Sequence, residues 1–454
     1  MLGIIIGLIV TVVVGYLVVK KKKAQTVLLL GGLFLMAIAA IMGNPLLDAK
    51  KTTGFVLFDM FKYIENIMST RTAALGLLIM AVGGYARYMD AIGASKVLVK
   101  LTIHPLSYLK SPYLVLALSY VVGQILHFFL PSAAGLSVLL MATIYPVLIS
   151  LGVSKLSAAA VIGTAACLDL GPASGNSVLA SKNAGLEVAA YFTNYQIPVA
   201  FPAMITVAVL HFFVQKYFDR KEGHMIQPLE VTANKMDNSE EIPPMIYACL
   251  PIIPLLLILV FSDLCIPSIK MSVVTAMLIS MAISMFFELV RIKDMQKVFA
   301  SIQVFLDGMG KQFATVVTLI VAGETFAYGL TKIGAIEGLI HLAQEAGFGV
   351  FGMTIVMTLI IMLSAIVMGS ANAPFFAFAA LAPIVAAKMQ VMPVLMLLPM
   401  QMAAGIARSV SPITAAIVAV AGIAEVSPVD IVKRTAIPMA GALIVALVGT
   451  FCLF

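Results

Sequence analysis

The sequence predicts an all-α polytopic membrane protein of about ten spans plus two oppositely oriented re-entrant hairpins, arranged as two inverted repeats. Three observations carry that expectation. Of 454 residues, 62% are hydrophobic and 11% charged, far from the balance of a soluble domain. Apolar runs of roughly 16 to 20 residues recur along the whole chain, a length that crosses a ~30 Å hydrocarbon core as helix. The same order of runs and breaks occurs twice. A β-barrel would show short alternating segments, and none dominate. The net charge of +7 does not indicate a nucleic-acid partner, because lysines and arginines sit beside apolar runs.

The first run, 2–19, is followed rather than preceded by Lys20–Lys23, so it reads as a retained span and not a signal peptide. A second span covers 26–42. Residues 43–71 mix charges with Phe55, Phe58 and Phe61 and predict an amphipathic surface helix. A third span covers about 72–89, followed by a basic stretch. The segment at about 112–150 is an apolar run, a polar break at Leu130–Gly135 and a second apolar run, the pattern of a hairpin. The span at about 156–185 is interrupted by Asp169-Leu170-Gly171-Pro172-Ala173-Ser174-Gly175-Asn176, through which no smooth helix passes. A fifth span follows at 196–214. The polar, proline-containing segment 219–244 predicts a cytoplasmic linker between a first repeat (1–218) and a second (245–454).

The second repeat has spans at 246–262, 271–289 and 312–330, with a basic segment carrying Arg291, Lys293, Lys297 and Lys311 between the last two. Its hairpin, about 350–388, is uncharged up to Ala387 and breaks at Gly369-Ser370-Ala371-Asn372-Ala373-Pro374. Pro374 has no N–H and disfavours helix at Ala373. Backbone freed inside a membrane persists only against protein, a wet cavity or a ligand. A broken span at about 392–422, interrupted at Arg408–Thr414, and a last span at 436–453 complete the chain.

Residues also match between the halves. Ile92-Gly93-Ala94 answers Ile333-Gly334-Ala335 at an offset of 241, and Ser132-Ala133 answers Ser370-Ala371 at 238. Ala165-Ala166 with Ala403-Ala404 and Glu187-Val188 with Glu425-Val426 keep that 238, and Ile197-Pro198 with Ile437-Pro438 gives 240. Five full spans per half is an odd number, so the halves are expected upside down to one another. With both termini periplasmic, nineteen of the 28 lysines and arginines fall on inner segments, eight on outer ones, and Arg408 lies within the membrane.

Matching breaks in inverted repeats point to a secondary transporter whose site lies near the midplane. The candidates for substrate binding there are Ser132, Ser174, Gly175, Asn176, Ser370, Asn372, Arg408, Ser411 and Thr414. Helix N-termini at such breaks suit carboxylates, and exposed carbonyls suit a cation. Each hydroxyl could instead bond its own helix. Arg408 can grip a carboxylate bidentately, or pair with Asp169, the neighbour of its repeat-matched position Leu170. Asp169 and Glu324 are the coupling or ion-pair candidates, while Lys182, Arg87 and His127 read as interfacial or structural.

Other chemistries find no support. There is no phosphate-binding G-x-x-x-x-G-K-[ST], no H-E-x-x-H and no G-x-S-x-G. The four cysteines are scattered and form neither a metal-ligand spacing nor a disulfide framework. No cofactor, metal or enzymatic activity is expected.

GSANAPFF, DLGPASGNS, ARSVSPITA and IMAVGGYARYMDAIGASK resemble the anaerobic C4-dicarboxylate transporter family of the DcuC/DcuD type, over essentially the whole chain. More broadly the chain is similar to the ion-transporter superfamily, whose hairpin tips carry Ser-Asn-Thr-like motifs. The tip Ser132-Ala133-Ala134-Gly135 departs from that pattern in lacking the asparagine. The resemblance implies exchange or efflux of succinate, fumarate or malate in the bacterial inner membrane. It also implies a homodimer working as an elevator, with a proton or sodium as possible coupling ion. Composition and spacing alone leave open another organic anion, such as citrate or a short-chain carboxylate, and an anion channel.

Overall fold

The computed structural model describes residues 2–20, 22–109, 111–224, 243–261, 266, 268–269, 271–336, 338, 345 and 349–454. Most of the expected linker, 225–242, lies outside them, as do Lys110, Lys235 and Lys270. Among the described residues every regular element is helical.

The first half runs α1 (Leu2–Val19), α2 (Ala24–Ile41), α3 (Val56–Arg71), α4 (Leu77–Ala91) and α5 (Ala94–Ile103). It continues with α6 (Pro112–His127), α7 (Ala133–Ser150), α8 (Lys155–Thr164), α9 (Gly175–Asn183) and α10 (Ile197–Lys221). The second half begins at α11 (Ile253–Val260), α12 (Val273–Ile292), α13 (Met295–Gln312) and α14 (Thr318–Lys332). After these come α15 (Val350–Met368), α16 (Asn372–Phe378), α17 (Leu381–Lys388), α18 (Val394–Arg408), α19 (Ala415–Ala424) and α20 (Pro428–Leu453). Seven helical segments among the described residues are long and apolar enough to cross a membrane, and shorter apolar helices such as Pro112–His127 and Val394–Arg408 lie between them. Leu8, Val12, Phe201, Phe213 and Ile444 stand exposed on the outer helices, where lipid is their solvent. The chain is a multi-pass membrane protein.

Small residues decide which helices touch, because close backbone approach replaces the hydrophobic drive that lipid cannot supply. A Cβ on Gly32 of α2 would lie 2.7 Å from the Thr325 carbonyl carbon of α14, so these two helices cross backbone to backbone. A Cβ on Gly308 of α13 would lie 2.8 Å from Cα of Gly84 on α4. Both crossings join the first half to the second, and α10 packs along α20 in the same sense.

Two stretches read from sequence as basic connections are helices, α5 and α13. Their charges sit on one face of a helix that packs on protein, so no apolar run betrays them. The amphipathic segment is shorter than expected: α3 starts at Val56, after a turn in which Asp59 accepts from Thr52 Oγ1 (2.7 Å) and from Thr53 N (2.6 Å). The linker also starts later than expected, because α10 continues to Lys221. The reason is Asp219, fully buried 2.6 Å from Nη1 of Arg434 on α20. Ser154 Oγ (2.6 Å), Ser157 Oγ (2.8 Å) and Tyr113 Oη (3.1 Å) also donate to Asp219, and Nη2 of Arg434 reaches Glu222 at 2.5 Å.

A π-helical turn occurs at a matched position in each half, Thr72–Gly76 before α4 and Phe313–Val317 before α14, whose first residues are 241 positions apart; the first half has a further one, Tyr191–Gln196, before α10. Each half ends the helix after its matched turn at a left-handed glycine, Gly93 (φ +79°) and Gly334 (φ +74°).

Candidate functional site

The interrupted segments all open onto one cavity of about 570 Å³. Pro131–Ala134 come from the α6–α7 break and Gly369–Asn372 from the α15–α16 break. Asp169, Ala173, Ser174 and Gly175 come from the α8–α9 break, and Arg408, Thr414, Ala415 and Ala416 from the α18–α19 break. The fifth wall is α4 with Arg87 and Asp90, and the sixth is α13 with Lys311 and Gln312. α7, α9 and α19 therefore begin on the cavity wall and bring their positive dipole ends to it, with one N–H of α7 and one of α9 capped by Ser132 and Ser174.

Local sequence explains each break. At the first tip Ser132 is the N-cap of α7, its Oγ accepting from Gly135 N at 3.2 Å. Its hydroxyl hydrogen is left to donate. At the second tip Gly369 adopts φ +63°, and a Cβ there would lie 2.8 Å from Ile413 Cγ1, so the tip presses on the α18–α19 break. Asp169 itself sits at φ +51°, a left-handed conformation that aspartate tolerates better than most residues.

Eight of the eleven sequence candidates share this cavity: Ser132, Asp169, Ser174, Gly175, Ser370, Asn372, Arg408 and Thr414. Three do not line it. Asn176 is buried behind Asp169, donating from Nδ2 to its Oδ2. Ser411 is buried and donates to the Ile366 carbonyl at 2.6 Å, tying the second tip to its neighbouring break. Glu324 lies apart on α14, 2.7 Å and 2.8 Å through its two oxygens from Nε of Arg71. Arg408 and Asp169 face the same space without approaching within the 4.0 Å of an ion pair. Nη2 of Arg408 instead donates to the Ala166 carbonyl at 2.5 Å, while its own carbonyl accepts from Thr414 Oγ1 at 2.7 Å.

Several residues here carried no local signal in the sequence. Gln401 donates to the Asp169 carbonyl at 2.9 Å and accepts from Gln196 Nε2 at 2.9 Å and Tyr191 Oη at 2.7 Å. This buried cluster fixes the α8–α9 break against α18. A lone glutamine within VLMLLPMQMAAG was its one visible trace. Arg87, Lys311 and Gln312 enter the wall only because α4 and α13 cross at glycines. With Arg408 they give the wall three cations, against Asp90 and Asp169 as acids.

Packing at the break is tight enough to test. A Cβ on Gly405 of α18 would fall 2.4 Å from the Cys167 carbonyl oxygen and 3.0 Å from Asp169 Cβ. Gly405→Ala is expected to cost about 1–3 kcal/mol by forcing α18 off the unwound segment, and to lower transport roughly tenfold or more. Gly422→Ala, with nothing within 4 Å of its Cβ, should leave both unchanged. Melting and uptake of the two purified variants check this.

Residues 2–454 match the DcuC family, described as the C4-dicarboxylate anaerobic carrier. This chain belongs to that family. The anaerobic C4-dicarboxylate transporter DcuC of Escherichia coli (strain K12) is 36% identical over 451 residues, covering 98% of this chain and 96% of that one. The probable anaerobic C4-dicarboxylate transporter DcuC of Vibrio cholerae is 35% identical over 455 residues, 100% of this chain and 98% of that one. Family and relatives are named as carriers and transporters rather than as enzymes. The crystal structure of the Alcanivorax borkumensis YdaH transporter shares the fold, with a TM-score of 0.59 at 14% identity over 95% of this chain and 98% of that one. For this member of the carrier family, the cavity between the four breaks is the candidate for its transport site.

Proposed function

We propose that this carrier moves C4-dicarboxylates such as succinate, fumarate or malate across the bacterial inner membrane, by exchange or export. The single observation that carries the reading is the convergence of residues from both halves on one cation-rich cavity, with helix N-termini on its wall. A dianion is the natural occupant of such a wall. The four-carbon length comes from the names of the relatives. In this reading Arg408 holds one carboxylate, and Ser370, Asn372 and Ser132 at the two tips hold the other. The π turns and left-handed glycines at matched positions support two inverted repeats with oppositely directed hairpins. Movement of the tips and breaks as one body against the remaining helices would be an elevator step within a homodimer.

Counterflow tests the class. Proteoliposomes loaded with unlabelled fumarate should take up labelled succinate faster than empty ones, and citrate outside should not compete. Equal rates in loaded and empty vesicles would indicate a channel instead.

Asn372→Ala removes one hydrogen bond to a charged group, worth about 1.5–3 kcal/mol, so succinate affinity should fall roughly ten- to a hundredfold with expression unchanged. Wild-type affinity in Ser370→Ala/Asn372→Ala would make the tip structural only.

Orientation is testable separately. In a cysteine-free background, cysteines replacing Lys22 and Lys221 should react with an impermeant reagent only from the cytoplasm, and one replacing Lys388 only from the periplasm. Labelling of positions 221 and 388 from one side would remove the inverted topology.

A further inference from the structure

His127 ends α6 and is buried behind Asp169. Its Nδ1 lies 3.0 Å from the carbonyl oxygen of Leu130. A carbonyl only accepts, so the hydrogen on this side belongs to Nδ1. Nε2 then faces Oδ1 of Asp169 at 3.5 Å. In a neutral ring that nitrogen is an acceptor, and an ionised carboxylate is acceptor on both oxygens. Two acceptors facing each other in a buried place repel, and one proton between them turns repulsion into attraction.

The other bonds of Asp169 leave room for that proton. Ser174 Oγ donates to Oδ1 at 3.0 Å, and Asn176 Nδ2 donates to Oδ2. Turning the Asn176 amide round would set its oxygen against the carboxylate, so its orientation is fixed by the same logic. Each carboxylate oxygen accepts one such bond and Oδ1 keeps a lone pair toward Nε2 of His127, so one proton can be shared along that 3.5 Å line without displacing either donor.

We propose that the His127–Asp169 pair is the carrier's proton site, filled together with the substrate. This rests on the reading of the cavity as a dicarboxylate site. Arg408 of α18, Arg87 and Asp90 of α4, and Lys311 of α13 line the same cavity as Asp169. Tyr120 and Cys167 adjoin it and bond each other at 3.2 Å, and His211 on α10 is engaged by Thr164 at 2.8 Å. With its proton the pair contributes no net charge, and three cations against Asp90 leave the wall at +2. That charge is equal and opposite to a dicarboxylate. Without the proton, Asp169 stands as a bare anion beside a substrate carboxylate, and the wall falls to +1. Proton binding to the ring nitrogen breaks no other bond, and the loaded site is electroneutral.

Titration calorimetry of fumarate binding to the purified full-length protein, in two buffers of different ionisation enthalpy, counts the protons taken up. Across a pH series the uptake should rise to about one proton per fumarate as pH increases, and above that rise affinity should fall about tenfold for each further pH unit. His127→Gln keeps a donor toward Asp169 but holds no extra proton, so it should bind weakly with a flat pH profile. His127→Gln/Asp169→Asn is uncharged at every pH and should regain affinity while keeping the flat profile. A merely structural histidine predicts no such recovery. Tight fumarate binding without proton uptake, or the wild-type pH profile in His127→Gln, overturns the proposal while leaving the cavity reading intact. No saturable fumarate binding at any pH overturns both.

Discussion

Arg408→Ala is expected to lower dicarboxylate affinity by roughly two to four orders of magnitude. A guanidinium fork gives two charge-assisted bonds to a carboxylate, each worth about 1.5–3 kcal/mol, and neutral water cannot replace its fixed charge. Arg408 is half-buried at the end of α18, whereas Arg87 and Lys311 are exposed side chains on the cavity rim. They cannot be drawn in without losing their own solvation. Arg408→Lys keeps the charge but loses the planar fork, and it also loses the reach to the Ala166 carbonyl, so it should recover little. The double variant Arg408→Ala/Asp169→Ala discriminates the roles. Mutual neutralisation would restore transport when both are removed. Because the two form no ion pair in the cavity wall, no rescue is expected, and equilibrium binding of labelled succinate would show it.

The second large effect lies away from the cavity. Asp219→Ala should cost about 3–5 kcal/mol, because it leaves Arg434 buried with half its charge compensation gone. Glu222 remains as a partner, but it is about half exposed and cannot satisfy Nη1. The consequence falls on the α10–α20 contact, which joins the two halves. Replacing both partners, as Asp219→Ala/Arg434→Met, should recover most of the loss, since an uncharged pair needs no compensation. Thermal melting of the detergent-purified variants in a double-mutant cycle measures the coupling directly.

The cavity's polar tips were legible because breaking a helix in lipid demands conspicuous residues. Gly369-Ser370, Pro172 and Ser411-Pro412 cannot be hidden within an apolar run, and their spacing recurs between halves. The walls were not legible in the same way. α13 is amphipathic and charged, so it passes for a connection, and only its crossing with Gly84 turns Lys311 inward. His127 closes an apolar helix, and its partner Asp169 is 42 residues away. Glu324 advertised itself by depth, yet its partner Arg71 is 253 residues distant, and that pairing takes it away from the cavity. What sequence conveyed was where the backbone must stop. Which side chains then meet depends on helix phase, and phase is set by packing.

The π turns give that phase a mechanical meaning. A π turn closes its bonds at i→i+5 and so holds one residue more than the α-helix it interrupts. One residue corresponds to about 100° of rotation about the helix axis. Phe313–Val317 lies between α13, which carries Lys311 and Gln312, and α14, whose Gly323 and Gly329 are locked against neighbouring backbone. The turn is therefore a fixed twist between an anchored shaft and a working face. Deleting one residue within it would leave α14 seated and carry Lys311 about a quarter-turn away from the cavity. A change of chain length by one at that point acts as a change of direction.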